Sequence, residues 1–225
     1  MERSFTEQSQ EHECLSAVSY WIAVDHLKET TPELKWNRWL ATGGQFISLR
    51  VDQKPFDDLR VRRALNLAVN QQEIVDHFYG GHAELMAYPQ HPEFGEYFEP
   101  LEAMPNAVQE LFTYDPEEAR RLLDEAGVPE GFSFDLQVCS CSPSHMDLVP
   151  LLESYFSRVG LKTNIETMEY ASFLSAMTTK THGPAYLLTS GHVNPMTTIR
   201  KSFVSGQTWN PSQYSDPEFD EKVRV

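Results

Sequence analysis

Apolar positions along the chain switch between a period of two and steps of three and four, so strands and helices can be placed in turn. Leu15 to Leu27, which contains Trp21, predicts a helix, and Leu34 to Leu40, with Trp36 and Trp39, predicts a strand. Gln45 to Val51 sets Phe46, Ser48 and Arg50 against Ile47, Leu49 and Val51, the alternation of a half-buried strand, before Pro55 and the Asp57-Asp58 pair end it. Val61, Ala64, Leu65, Ala68 and Val69 then predict a helix capped by Asp57 or Asp58. A shorter helix, Gln71 to Phe78, stops at Gly80-Gly81, where a left-handed cap is sterically free. Between Ala83 and Pro105, Pro89, Pro92, Pro100 and Pro105 fall among aromatic and acidic residues, which predicts a long irregular loop packed down through Tyr88, Phe94, Tyr97 and Phe98.

Asp115-Pro116-Glu117-Glu118 is a helix start, with the cap, the proline at the first helical position and acids in the first turn. Leu122, Leu123 and Ala126 form its apolar stripe and Gly127 ends it. Phe132 to Cys141 predicts a strand with Phe132, Phe134, Leu136 and Val138 on one face. Asp147 to Val159 reads as a helix ended by Gly160, and Leu161 to Thr167 as a strand. Tyr170 to Thr179 then predicts a short helix, Ala185 to Thr189 a buried strand, and Asn194 to Phe203 a helix or a turn. Strands separated by helices of this length predict an α/β domain with a largely parallel sheet.

Composition narrows the function classes. A chain of 225 residues makes one large or two small domains. Its 18 basic against 33 acidic side chains leave a net charge of −15, and the stretch from Glu93 to Glu130 sets eleven carboxylates against only Arg120 and Arg121. Such a surface repels polyanions, so nucleic acid is excluded as a partner. No apolar run approaches the ~20 residues that a membrane-spanning helix needs, so no membrane insertion is expected. The start, MERSFTEQSQEHE, lacks an apolar core, which places any export signal upstream.

Nothing resembles a GxSxG elbow, an HExxH helix, a phosphate-cradling loop or a GxGxxG turn, and no catalytic residue, cofactor or metal is predicted. His77, His82 and His91, even with Glu84, match no compact zinc spacing and read as surface histidines. Cys14, Cys139 and Cys141 are too few for a disulfide framework. Cys139 and Cys141, two apart on a strand, share a face and are expected to stay unbridged, as small core or edge residues. His145 is the one local group that could activate such a thiol. Glu117-Glu118 and Asp124-Glu125 read as a solvated helix face. In a parallel sheet, ligands gather at the carboxyl ends of strands, which singles out Ser142 to His145, Glu169 to Tyr170 and Ser190 to Pro195. In the last of these, Gly191, His192 and Asn194 can turn backbone groups toward a ligand, and a plain turn is the alternative reading.

Three blocks carry a family resemblance. They are FISLRVDQKPFDDLRVRRALNLAVNQQEIV (Phe46 to Val75), YDPEEARRLLDEAGVPEGFSFDLQV (Tyr114 to Val138) with the return Tyr155 to Ile165, and NPSQYSDPEFDEKV (Asn210 to Val223). In this order they resemble the family 5 extracellular solute-binding proteins, the peptide- and nickel-binding subunits of ATP-binding-cassette importers. The resemblance implies an α/β fold like the second lobe of a periplasmic binding protein, with a mixed, mostly parallel sheet flanked by helices. Residues 1–40 would be a remnant of the first lobe or a linker, and 41–225 the second, ligand-binding lobe, so the chain would be a fragment or a truncated relative. It further implies a non-enzymatic solute-binding component, a membrane permease as partner, and a periplasmic or extracellular location. The implied ligand is a small polar or peptide-like solute, met by Ser190, Gly191, His192 and Asn194, with Tyr170, Asn210 and Tyr214 as secondary contacts.

One departure alters the expected ligand. Where peptide-binding members carry a Trp-x-x-Asp-x-x-Asp-Pro pattern whose first Asp pairs with the peptide amino terminus, this chain has Leu188-Thr189-Ser190-Gly191-His192-Val193-Asn194-Pro195. Gly191 stands at the anchoring carboxylate. A buried ammonium with no counter-charge costs several kcal/mol, so peptides with a free amino terminus are disfavoured. The nickel-binding relatives would instead suggest a metal chelate on His192 or the histidines near Gly80. The rival reading is a cytoplasmic sensor lobe fused to a transcriptional regulator, and a third is a hydrolase acting through His145 or Cys141.

Overall fold

The computed structural model describes residues 4–7, 13–16, 21–36, 39–41, 43–191 and 194–223. They group into two units, Met1–Leu40 with Gln72–Glu84, and Ala41–Gln71 with Leu85–Val225.

The smaller unit pairs β1 (Ser4–Glu7) antiparallel with β2 (Glu13–Ser16) and carries α1 (Trp21–Thr30). Leu15 and Ser16, expected in a helix, pair instead with Phe5 and Ser4, and the helix is described from Trp21 on. The strand expected over Leu34 to Leu40 does not form among the residues described there. An apolar alternation becomes a strand only where an edge pairs with it. Instead the Leu34 amide donates to the Thr31 carbonyl in a turn after α1.

The larger unit is built on β3 (Gly44–Leu49) and α2 (Leu59–Leu67), followed by α3 (Gln71–Glu73), which runs on into a π turn at Ile74–Phe78 in the smaller unit. It continues with α4 (Asn106–Gln109), α5 (Pro116–Glu125), β4 (Ser133–Cys139), α6 (Pro143–Arg158), β5 (Lys162–Met168), α7 (Tyr170–Thr178), β6 (Ala185–Ser190), α8 (Pro195–Phe203) and α9 (Pro217–Val223). The caps read from sequence are in place: Asp58 accepts from the Arg60 amide at 2.8 Å, and Asp115 from the Glu118 amide at 2.9 Å. Helix α6 starts four residues earlier than the apolar spacing suggests. Pro143 at its first position needs no hydrogen-bond donor and has φ preset for a helix.

The sheet runs β3-β6-β4-β5, with β4 parallel to both neighbours and β3 antiparallel to β6. The expected mostly parallel α/β sheet is thus present, with one antiparallel edge. Side-chain alternation gives it two different faces. Phe134, Leu136 and Val138 point one way, where Phe134 meets Phe156 of α6 and Phe56 edge-on at ring-centre distances of 5.9 and 5.4 Å. Tyr186 and Leu188 point the other way and bury against Met177, with Phe46, Phe173 and Leu174 packed around them.

The loop after residue 84 folds into 3-10 turns at Pro92–Tyr97 and Leu101–Ala103. Phe94 is buried, Phe98 is half-buried, and Tyr88 packs on Phe46 and Phe203 at 4.7 and 6.0 Å. Tyr97 does not follow the expectation. It is 68% exposed, turned outward beside the positive φ of Gly95. His91 also departs from its reading as a surface residue: it is buried, and its Nδ1 accepts the Glu93 amide at 3.2 Å to cap the turn.

Cys139 and Cys141 form a disulfide, against the expectation from a continuous strand. Strand β4 ends at Cys139, and the Ser142 amide turns back to the Cys139 carbonyl at 3.2 Å. This turn brings the two Cα atoms to 5.1 Å, within the usual disulfide range.

Candidate functional site

Because β3 runs against β6, its amino end lies beside the carboxyl end of β6, with Gly44 opposite Ser190 and Gln45 opposite Thr189. The carboxyl end of β4 turns here into α6. Polar side chains from β3, β6 and the start of α6 pair here. Gln45 Nε2 donates to Ser144 Oγ at 3.3 Å, Ser144 and Ser142 hydroxyls lie 3.4 Å apart, and His145 Nε2 pairs with Thr189 Oγ1 at 2.9 Å. Across the sheet, Tyr88 donates its hydroxyl to Ser190 Oγ at 3.4 Å and lies 3.1 Å from Ser202 Oγ of α8. The chains approach closely: a Cβ on Gly43 would sit 3.1 Å from Thr189 Cγ2.

The cluster is polar without being charged. His145 is 5% exposed, and burial lowers its imidazole from the ordinary 6.5 to about 4, so it is neutral at physiological pH. Its Nδ1 has no hydrogen-bond partner among the described residues. The folded state thus holds the imidazole neutral while the unfolded chain protonates it near 6.5. Its stabilisation is complete above that value and is lost as pH falls from 6.5 toward 4. Buried His182, also shifted downward by desolvation, adds to the same slope. In thermal melts between pH 7 and 4, His145→Asn is expected to flatten this decline, and an unchanged slope would contradict the assignment.

The other candidates are placed as follows. Gly191 is half-buried just after β6. Asn194 caps α8, accepting the Met196 and Thr197 amides at 2.9 and 3.2 Å. Tyr170 is 56% exposed at the start of α7, beside Glu169, whose carboxylate caps that helix. Tyr214 donates its hydroxyl to Asp216 at 3.0 Å. Asn210 is 1% exposed, and its amide is spent on Val204, Ser212 and Tyr214, so the structure gives it a loop-holding role. His192 lies outside the described residues.

Of the loop candidates, Ser144 and His145 pair with Gln45 and Thr189 on one face of the sheet, and Ser190 pairs with Tyr88 on the other. Gln45, Tyr88, Thr189 and Ser202 were missed, because their convergence depends on strand register and loop path. No group of three or more His, Cys, Asp or Glu side chains able to hold a metal occurs among the described residues. No helix among them is long and apolar enough to cross a membrane. Two surface hollows lie at the opposite, amino-terminal edge of β4 and β5, one beside Arg120, Arg158 and Gly160 and one beside Pro55, Gly127 and Phe132. In a parallel sheet that edge is not where ligands gather.

Residues 10–211 match the model of bacterial extracellular solute-binding proteins, family 5 Middle. Heme-binding protein A of Haemophilus influenzae is 29% identical over 149 residues, covering 64% of this chain and 26% of that protein. Di/tripeptide-binding protein 1 of Pseudomonas aeruginosa is 33% identical over 133 residues, covering 57% and 23%. The structure of NikZ from Campylobacter jejuni in complex with Ni(L-His) superposes with a TM-score of 0.72 at 20% identity, over 90% of this chain and 42% of that one, a likeness of fold. The chain spans about a quarter of the length of the two curated relatives.

Proposed function

Since the chain belongs to the bacterial extracellular solute-binding proteins of family 5, we propose that it supplies the ligand-binding face of one lobe of an importer's solute receptor, periplasmic or extracellular in setting. Residues 41–225 make up that second lobe, and 1–40 belong to the first lobe or a linker. The ligand is a small polar or peptide-like solute passed on to a membrane permease. The observation that carries this reading is the gathering of uncharged polar side chains at the carboxyl ends of β4 and β6, with Gln45, Ser144, His145 and Thr189 on one face of the sheet and Tyr88 with Ser190 on the other. The relatives' names, heme-binding and di/tripeptide-binding, fit a receptor family whose ligands differ. These proteins are binding proteins, and the sensor-lobe alternative gains no support from them.

Ligand specificity turns on Gly191. The hydroxyls, amide and neutral imidazole at this end of the sheet offer hydrogen bonds, and none of the partners in these bonds is a carboxylate that could balance an ammonium. Peptides with free and with acetylated amino termini are therefore expected to bind alike in calorimetric titration. Gly191→Asp is expected to strengthen the free-amine peptide about tenfold or more, roughly 1.4 kcal/mol, and leave the acetylated one unimproved. Strong selectivity of the unchanged protein for free-amine peptides would overturn this reading.

A further inference from the structure

The disulfide lies at the rim of the polar cluster, and its two sulfurs are unequally placed. Cys139 closes β4 and is 2% exposed, whereas Cys141 is exposed one residue before Ser142, which opens α6 and shares the hydroxyl contact with Ser144. The Cys141 amide donates to Cys139 Sγ at 3.2 Å. An incoming thiol can reach the Cys141 sulfur, and the bond it breaks leaves its electron pair on a sulfur that already accepts a hydrogen bond. Such a bond favours the thiolate and so improves the leaving group. The bridge also closes a loop of only three residues, from Cys139 to Cys141, so it constrains the unfolded chain far less than a long-range link. Stabilisation of the fold does not account for it.

We propose that Cys139–Cys141 is a thiol-exchange site that captures small thiol-bearing peptides as a mixed disulfide on Cys141. In the forward step the thiol ionises, releasing its proton to solvent, and its sulfur bonds to Cys141 Sγ. The Cys139–Cys141 bond breaks, and Cys139 leaves as a thiolate that takes a proton from water. The incoming thiol is oxidised to disulfide level and Cys139 is reduced, so no further oxidant is required. Release is the reverse: Cys139, held 5.1 Å away between Cα atoms, attacks the Cys141 sulfur, expels the peptide thiolate and restores the bridge. This chemistry stands apart from non-covalent solute binding, and loss of the one leaves the other testable.

The test uses the oxidised chain carrying Cys14→Ser, with glutathione as the probe. After acid quenching, intact mass and fragment mapping are expected to find one glutathionyl group on Cys141. With Cys139→Ser added and oxidised glutathione supplied, the adduct is expected to outlast that of the Cys139-bearing chain by on the order of a hundredfold after removal of free thiol, since an adjacent thiolate gains a large effective concentration. A bridge that stays intact, an adduct on Cys139, or equal adduct lifetimes in the two chains would each overturn the proposal. So would reduction of the bridge to two thiols without a detectable adduct, or the absence of a Cys141 adduct in the Cys139→Ser chain.

Discussion

Tyr186→Ala is expected to destabilise the larger unit by about 4 kcal/mol, the usual cost of deleting a fully buried aromatic ring. Tyr186 is 0% exposed, stacks on Phe173 with ring centres 4.0 Å apart, and lies 5.2 Å from the His182 ring. Its removal would leave a void between the sheet and α7 where Met177, Leu188 and Phe46 converge. For a domain of this size that corresponds to a loss of roughly 8–16 °C in Tm. The hydroxyl can be separated from the ring. It donates to the Phe173 carbonyl, and burial pushes the phenol well above its ordinary value, so it stays a donor at any working pH. Tyr186→Phe keeps the stack, removes the hydroxyl's bond to a carbonyl of α7, and is expected to cost about 1 kcal/mol. Calorimetric or denaturant unfolding of both variants checks the pair. An alanine variant within about 1 kcal/mol of the parent would show that this face is not the packed core described.

Asn210→Ala is expected to cost about 3 kcal/mol of stability while leaving solute affinity unchanged, which separates a loop-holding role from ligand contact. Asn210 Nδ2 donates to the Val204 and Tyr214 carbonyls at 3.2 and 2.8 Å, and its Oδ1 accepts the Ser212 hydroxyl at 2.8 Å. Alanine removes all three bonds at once. The same loop is held from outside by Lys180, whose ammonium donates to the carbonyls of Gln207, Thr208 and Asn210 at 2.8, 2.7 and 2.8 Å. Asn210→Asp is no rescue, because a carboxylate would face two carbonyl oxygens. Thermal melts read alongside titration decide the matter. A fall in affinity with an unchanged Tm would restore Asn210 to the binding surface and remove the structural account.

The two variants also mark where the sequence could be read and where it could not. The stripe Val61, Ala64, Leu65, Ala68, Val69 is buried as its spacing predicts, and Asp58 and Asp115 cap the helices they precede. Asn210, by contrast, is a secondary ligand contact only as the family resemblance implies, and in the sequence a polar loop residue fits either role. Only its burial at 1% exposure and its partners at positions 204, 212 and 214 separate the two. The cysteines went astray for a related reason. Alternation assumes that the strand continues, whereas β4 stops at Cys139 and the turn redirects Cys141.

The sequence alone determined the order of the main strands and helices of the larger unit, the caps, the acidic surface and the family likeness, because periodicity, capping and charge are set by neighbours a few residues apart. Tertiary structure alone decided that Gln45 meets Ser144, His145 meets Thr189 and Tyr88 meets Ser190, across separations of 99, 44 and 102 residues. It also decided that His145 is neutral, that Tyr97 faces solvent and that the cysteines are joined. Each of these depends on strand register, burial and the path of a turn. Those are properties of the packed chain that no local pattern encodes.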